Sequence, residues 1–176
     1  YDMVLKCLPK VLKQFPELLY FIAGDGPELN HLQKLTDKLG LSKNVSFLNS
    51  VREKKLLQLY NICDLFVLPS KERKLDYKRR IHAESFGIVF IEASAFAKPV
   101  IGGDSGGIPD AIVNGVTGYL VDPSDENELA EKIIELLSDK EKAKRMGNAG
   151  RKRAIEGFDW IVVAKKFDRY LEQTML

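Results

Sequence analysis

The sequence HAESFGIVFIEASAFAKPVIGG, which runs from His82 to Gly103, decides the fold of this chain. Between Phe86 and Ala97 it is apolar apart from one serine and Glu92. It predicts a helix over 87–97 that is followed by a strand over 99–102. Because charged side chains are rarely buried without a partner, Glu92 must meet a cation, solvent or a ligand.

The rest of the chain alternates short apolar strands with amphipathic helices. Strands are predicted over 18–23, 45–48, 65–68 and 119–121, and helices over 4–15, 27–39, 51–62, 124–137, 138–156 and 160–171. This alternation is typical of a parallel sheet covered on both faces, which is a doubly wound, Rossmann-like α/β domain. Since the first element is a helix with no strand before it, we expect the first strand of the sheet to be missing.

Capping residues predict where several helices begin. Ser50 with Glu53, and Ser138 with Glu141, have the spacing of capping boxes. Ser124 or Asp125, and later Asp159, are the expected N-caps of two further helices.

Composition excludes several classes of protein. The 176 residues carry a formal charge of only +2, which makes no case for nucleic-acid binding. Cys7 and Cys63 lie far apart in apolar surroundings, which favours two buried thiols in a reducing compartment over a disulfide, and neither has zinc-site spacing. No apolar run approaches the roughly 20 residues that span a bilayer. We therefore expect a cytoplasmic protein.

Ligands of open parallel sheets bind beyond the carboxyl ends of the strands. Three segments there have special chemistry: Gly24-Asp25-Gly26, the long segment 69–86, and the Gly-rich turn 102–107. At the end of the second segment, Gly87, Ile88 and Val89 begin a helix, where unpaired amides and the helix dipole favour phosphate. We expect these amides to bind a phosphate or diphosphate.

Glu84 and Glu92 flank this anion site. Helical side chains lean toward the N-terminus of their helix, so Glu92 lies beside the site, while Glu84 precedes the helix. Carboxylates that accept hydrogen bonds from sugar hydroxyls would be satisfied without touching phosphate. The alternative is that Glu92 pairs with a cation such as Lys98, or reaches solvent.

The segment Glu84–Glu92 resembles the E-x₇-E motif of retaining glycosyltransferases with the GT-B fold, of the family-4 type. Four further stretches agree with that family in order along the whole chain: Ala23–Pro27, Asn44–Leu48 with Tyr60–Asp64 and Pro69–Ser70, Lys98–Ile101 with Gly106–Asp110, and Gly115–Pro123. The sequence around Gly103–Asp110 is most similar to that of bacterial mannosyltransferases that act on phosphatidylinositol glycolipids.

The resemblance implies the C-terminal, donor-binding domain of such an enzyme over 1–176, with C-terminal helices over about 124–176. Its N-terminal acceptor domain is absent. By this resemblance Glu84 is the catalytic residue that contacts the transferred sugar and Glu92 binds the ribose. The remaining donor-binding residues are Gly24, Asp25, Gly26, Ser50, Val51, Phe86, Gly87, Ile88 and Val89.

The resemblance also implies the chemistry. A sugar passes from a nucleotide-sugar, with GDP-mannose favoured and UDP-sugars open, to a hydroxyl of a lipid-linked or saccharide acceptor, with no metal or other cofactor. Two positions depart from the family pattern, Asn49 and Asp110, where glycine and glutamate are usual. The diphosphate-clamping Arg and Lys are expected before Tyr1, so the chain alone should bind donor weakly and not turn over.

Alternative interpretations remain. The chain would instead be a stand-alone nucleotide-binding module without transfer activity, or a domain like that of a sugar-nucleotide epimerase. The basic segment 71–80 is either a solvated loop or a contact for anionic acceptors, including lipid headgroups at a membrane surface. The charged helix over 138–156 is expected to be a solvated outer face, and Trp160 is expected to lie in the core.

Overall fold

The structure is a computed structural model that describes residues 1–71, 73–75, 80–82 and 85–174, with side chains over 1–71 and 85–173. Glu84, the predicted catalytic residue, lies outside these ranges.

The chain alternates helices and strands as the sequence predicts. The helices are α1 (Asp2–Leu12), α2 (Leu29–Lys38), α3 (Glu53–Ile62), α4 (Ile88–Ala95), α5 (Ile108–Ala111), α6 (Glu126–Ser138), α7 (Lys140–Phe158) and α8 (Trp160–Thr174). The strands are β1 (Tyr20–Ile22), β2 (Val45–Phe47), β3 (Phe66–Leu68), β4 (Arg73–Leu75), β5 (Arg80–His82), β6 (Val100–Gly103) and β7 (Gly118–Val121).

The strands that alternate with helices pair in parallel. Strand β1 pairs with β2, with Tyr20 opposite Val45. Strand β6 lies between β3 and β7, so that Ile101 is opposite both Val67 and Tyr119. The α/β fold with parallel strands is therefore confirmed.

Apolar side chains on both faces of the strands form two core clusters. On β6, Ile101 belongs to the cluster that contains α1 and α6, whereas its neighbour Val100 belongs to the cluster that contains Phe90 of α4. Successive strand residues point to opposite faces. The three-stranded sheet is thus covered by helices on both sides, as a doubly wound domain requires.

The two parallel sheets each have an open edge. Among the described residues, β1 pairs only with β2 and β3 only with β6. Both strands are free of charged residues, although edge strands usually carry charges that discourage further pairing. Residues of both sheets nevertheless share one core cluster with α1. In the common doubly wound order the first strand lies between the second and the fourth, so we expect a strand from the segment before Tyr1 to pair with β1 and β3.

Hydrogen exchange tests this expectation. In the chain that starts at Tyr1, amides of β1 and β3 should exchange roughly tenfold or more faster than those of β6, because β6 is paired on both sides. Extending the chain by the residues that precede Tyr1 should slow β1 and β3 and leave β7 unchanged. Equal protection of β3 and β6 in the shorter chain would rule out the open edge.

A carboxylate joins α6, α7 and β7. Glu135 accepts hydrogen bonds from the Tyr119 hydroxyl at 2.7 Å and from Lys132 at 3.0 Å, and it also pairs with Lys142. The ammonium of Lys132 lies 4.5 Å from the centre of the Tyr119 ring. The hydrogen bond from Lys142 is the main cause that lowers the pKa of Glu135 to about 2.

A lowered carboxyl pKa stabilises the fold above the pKa of the unfolded chain. We expect Glu135→Gln to lower the free energy of unfolding at neutral pH by about 1 kcal/mol, since the cluster is partly solvent-screened. The difference from the unaltered chain should be full above the ordinary glutamate pKa of 4.5 and shrink as pH falls toward 2. Urea denaturation at several pH values measures it, with Glu172→Gln on α8 as control. A difference that grows on acidification would contradict the assignment.

Two capping predictions are wrong and two are confirmed. Helix α3 is capped by Arg52 without a side-chain bond, because Arg52 is extended and leaves Ser50 outside the helix. Helix α6 continues through Ser138, so Asp139 caps α7 by accepting from the amide of Lys142 at 2.8 Å. Asp125 accepts from two amides of α6, and Asp159 accepts from the amide of Ile161.

The basic segment contains an antiparallel hairpin rather than only a loop. Strands β4 and β5 pair with Arg73 opposite His82. A polar composition indicates exposure to solvent but does not distinguish a loop from paired strands.

Helix α7 is not simply a solvated outer face. Its small residues Gly147, Gly150 and Ala154 are buried, and it packs against α4. The many basic residues hide this contact in the sequence, because glycines add nothing to an apolar pattern.

Trp160 is not in the core. Its side chain is 86 % exposed, and the large apolar residues of α8 are also exposed, namely Ile161, Val163, Phe167, Tyr170 and Leu171. The amphipathic pattern correctly predicts a helix, but its large apolar residues lie at the surface rather than in the core. None of the described helices combines the length and apolar character that a membrane span needs.

Candidate functional site

Within each parallel sheet, the carboxyl ends of the strands lie at one edge. Because β1 and β2 are parallel, and β3, β6 and β7 are parallel, their carboxyl ends carry the segments that the sequence singles out. Gly24–Gly26 follows β1, the Asn49–Val51 segment follows β2, Ser70 follows β3, and Asp104–Gly107 follows β6. This edge is where open α/β sheets bind ligands.

The first two segments are joined through their backbones. The amide of Gly24 donates to the carbonyl of Asn49 at 2.7 Å, and Gly24 has a φ of 135° that favours glycine. Asn49, in place of the family's usual glycine, also adopts a positive φ of 51°. The bond leaves Gly24, Asp25, Gly26 and Ser50 exposed beyond the strands and Val51 half-buried.

The Gly-rich turn approaches the entrance of α4 without room for a side chain. A Cβ on Gly107 would lie 2.0 Å from the carbonyl oxygen of Ser85, and one on Gly103 would lie 2.2 Å from that of Ser70. The contact between Gly107 and Ser85 fixes the backbone just before α4 against the turn after β6. This turn therefore positions the predicted anion site.

We expect Gly107→Ala to destabilise the domain by about 1–3 kcal/mol, because backbone must move to admit the methyl group. Gly26→Ala is the matched control, since a Cβ there meets nothing within 4 Å, and it should change stability by less than about 0.5 kcal/mol. Thermal and urea unfolding of both variants provide the measurement. Equal stability of the two variants would mean that the contact between Gly107 and Ser85 is unimportant.

The start of helix α4 is the predicted anion site. Gly87 is its N-cap in a left-handed conformation, φ 79°, and a Cβ there would lie 2.6 Å from the Phe90 ring. Within the described part of the chain, the amides of Ile88 and Val89 have no hydrogen-bond acceptor. Ile88 is 64 % exposed, so the start of the helix faces solvent. These are the properties of an anion-binding helix terminus.

Glu92 is exposed, although the surrounding sequence is apolar. It lies one turn after Ile88, and these two residues share the face of α4 that is open to solvent, whereas Phe90 and Ala93 are buried. Lys98, the alternative partner, donates to the carbonyl of Asn61 at 2.8 Å instead. The carboxylate therefore lies beside the start of α4 without a cation among the described residues.

Tyr60 is the residue that contacts Glu92. Its hydroxyl donates to Oε2 of Glu92 at 3.0 Å, and its side chain is almost fully buried at the end of α3. Burial first, and then this hydrogen bond, raise the pKa of Tyr60, so the phenol keeps its proton. The Tyr60–Asp64 motif contains this residue, but nothing in the sequence indicates that its hydroxyl meets Glu92.

Phe86 has a packing role. Its ring lies 5.3 Å from that of Phe158 at the end of α7, and Arg153 lies over the Phe158 ring at 4.8 Å. Arg153 also donates to the carbonyls of Asp110 and Ala111 at 2.8 and 3.0 Å. Sequence reasoning missed Arg153, because its neighbours on α7 are ordinary exposed cations.

The predicted site residues thus form two groups, each of which follows the carboxyl ends of a parallel sheet. Gly24, Asp25, Gly26, Ser50 and Val51 follow β1 and β2, and Phe86, Gly87, Ile88, Val89 and Glu92 follow β3. The arrangement offers amides for an anion and a carboxylate for hydroxyl groups. Both cysteines are free thiols; Cys7 is buried as predicted, whereas Cys63 is only half-buried.

Comparison with protein families gives a match over residues 1–153 to the family described as Glycosyl transferases group 1. A curated relative is the GDP-mannose-dependent alpha-(1-6)-phosphatidylinositol monomannoside mannosyltransferase of Mycolicibacterium smegmatis, 33 % identical over 159 residues. That alignment covers 90 % of this chain and 41 % of the relative. Another relative, glycogen synthase of Mycobacterium tuberculosis, is 32 % identical and is covered over 35 % of its length. The chain therefore spans less than half of these relatives.

Solved structures agree in fold. The Anabaena HepE structure in complex with UDP superposes with a TM-score of 0.82 at 26 % identity, covering 97 % of this chain and 44 % of that chain. The C-terminal domain of a Francisella tularensis group 1 glycosyl transferase superposes with a TM-score of 0.76 at 23 % identity, covering 90 % of this chain and 79 % of that chain. The second likeness concerns the fold alone.

Proposed function

The chain belongs to the Glycosyl transferases group 1 family, and we propose that it is the donor-binding half of a retaining enzyme that transfers a sugar from a nucleotide-sugar to an acceptor hydroxyl. The domain comprises residues 1–176, with α6, α7 and α8 forming its C-terminal helices. A sugar-nucleotide epimerase-like domain or a module without transfer chemistry is not favoured by this family membership.

One observation carries the proposal: at the start of α4, the amides of Ile88 and Val89, which have no acceptor among the described residues, occur together with the exposed carboxylate of Glu92. In the proposed complex, the amides of Gly87, Ile88 and Val89 donate hydrogen bonds to the diphosphate, and Glu92 accepts hydrogen bonds from the ribose hydroxyls. Gly24, Asp25 and Gly26, with Ser50 and Val51, surround the base. Glu84 contacts the transferred sugar.

The start of α4 supplies the electrostatic part of the mechanism. When the glycosidic bond to the donor breaks, negative charge develops on the departing diphosphate. Backbone amides and a helix dipole stabilise that charge without reorganisation, and no metal is required. We expect an Arg and a Lys that precede Tyr1 to complete the clamp.

The second part of the proposal concerns which nucleotide-sugar is the donor. Relatives at 33 % identity carry GDP-mannose in their names, which supports mannose transfer from GDP-mannose. The HepE structures contain UDP or UDP-glucose, which keeps UDP-sugars as the competing donors. The proposed acceptor is a lipid-linked or saccharide hydroxyl, bound by an N-terminal domain outside this chain, in the cytoplasm at the inner membrane surface.

Nucleotide binding by the chain tests the proposal. Calorimetry should detect weak binding of GDP or UDP, and Glu92→Gln should weaken it roughly 10- to 100-fold, because hydrogen bonds to a charged acceptor contribute about 1.5–3 kcal/mol. The unfolding midpoint should hardly change, since Glu92 is exposed.

Glu172→Gln, an exposed glutamate on α8, is the matched control and should leave binding unchanged. If neither nucleotide binds at millimolar concentration, or if both variants bind as tightly as the unaltered chain, the donor-site assignment is wrong.

A further inference from the structure

Tyr60 is buried in an aromatic cluster that extends to α4. Its ring centre lies 5.8 Å from that of Phe66 on β3 and 5.9 Å from that of Phe96, which follows α4. Phe66 in turn meets Phe90, the fully buried anchor of α4, edge to face at 5.5 Å. The phenol therefore has a fixed place relative to α4 before any ligand arrives.

From this place the hydroxyl of Tyr60 reaches one oxygen of Glu92. The bond to Oε2 measures 3.0 Å, and the described residues give Glu92 no second donor. An ionised carboxylate has about four acceptor positions, so one bond leaves Oε1 and part of Oε2 available. A tyrosine restrains the carboxylate without neutralising it, whereas a lysine or arginine would compete with a ligand for the same oxygens.

We propose that Tyr60 is a positioning residue that orients the carboxylate of Glu92 for the ribose hydroxyls of the donor. This proposal rests on the proposed function. A glutamate loses side-chain entropy when it is held in one rotamer. Because the buried phenol supplies that restraint in advance, less of the cost is left to ligand binding.

A merely structural role would have a different consequence. If the bond only tied α3 to α4, its loss would lower stability and would weaken every nucleotide equally. An orienting role acts through ribose hydroxyls alone, so a nucleotide without them should be insensitive to it.

The test compares Tyr60→Phe with the unaltered 176-residue chain by calorimetry, using GDP and 2′,3′-dideoxy-GDP, or the corresponding uridine nucleotides if UDP binds more tightly. We expect Tyr60→Phe to weaken binding of the ribonucleotide about three- to tenfold and to leave binding of the dideoxynucleotide unchanged. In the Glu92→Gln background, Tyr60→Phe should have little further effect, since interacting residues are not additive.

Tyr119→Phe is the matched control. Tyr119 is also buried, and its hydroxyl donates to another glutamate, Glu135, at 2.7 Å on the opposite side of the sheet. It should change stability but not nucleotide affinity. Equal weakening of both nucleotides by Tyr60→Phe, or no weakening, overturns the orienting role while Glu92→Gln still tests the donor site. Absence of binding by any nucleotide overturns both proposals.

Discussion

The close packing of α4 against α7 is the constraint on which the candidate site depends. A Cβ on Gly147 would lie 2.0 Å from the carbonyl oxygen of Ala97, and one on Gly150 would lie 3.1 Å from the hydroxyl of Ser94. These two glycines let the backbone of α7 approach the C-terminal end of α4 directly. On the other side, the buried ring of Phe90 holds α4 against the sheet. The helix is therefore held firmly, and its N-terminus opens at the edge where the strands end.

This placement explains how one short helix can pack in the core with one face and expose polar groups for a ligand on the other. Its buried face contains Phe90, Ala93 and Ser94, while Ile88 and Glu92 face solvent. Amides without intrahelical partners occur at the start of every helix. Here they lie beside a carboxylate that a buried tyrosine restrains, and the Gly107 contact with Ser85 sets the entrance to the helix. Each feature is common alone, and their combination at the sheet edge supports donor binding.

The sequence predicted the elements well and their ends less well. Hydrophobic spacing was sufficient for the helices and for every parallel strand, because burial imposes that spacing. Capping failed at Ser50 and Ser138, because Arg52 stays extended after Ser50 and α6 continues one residue further than predicted, through Ser138. Trp160 was wrongly placed in the core, because a pattern reveals an apolar face but not what covers it.

The sequence by itself determined the α/β architecture, because parallel strands with glycine-rich ends leave a distinctive alternation in the chain. Its ordered motifs resembled the family and predicted the residues of the candidate site. Only the tertiary structure decided the surroundings of Glu92. In the fold this carboxylate faces solvent, and Lys98 donates to the carbonyl of Asn61 instead. The hydroxyl of Tyr60, 32 residues away in sequence, donates to Glu92 at 3.0 Å. The physical reason is that periodicity shows which face of an element is buried, but not which distant element packs against it, and hydrogen bonds between distant elements depend on that pairing.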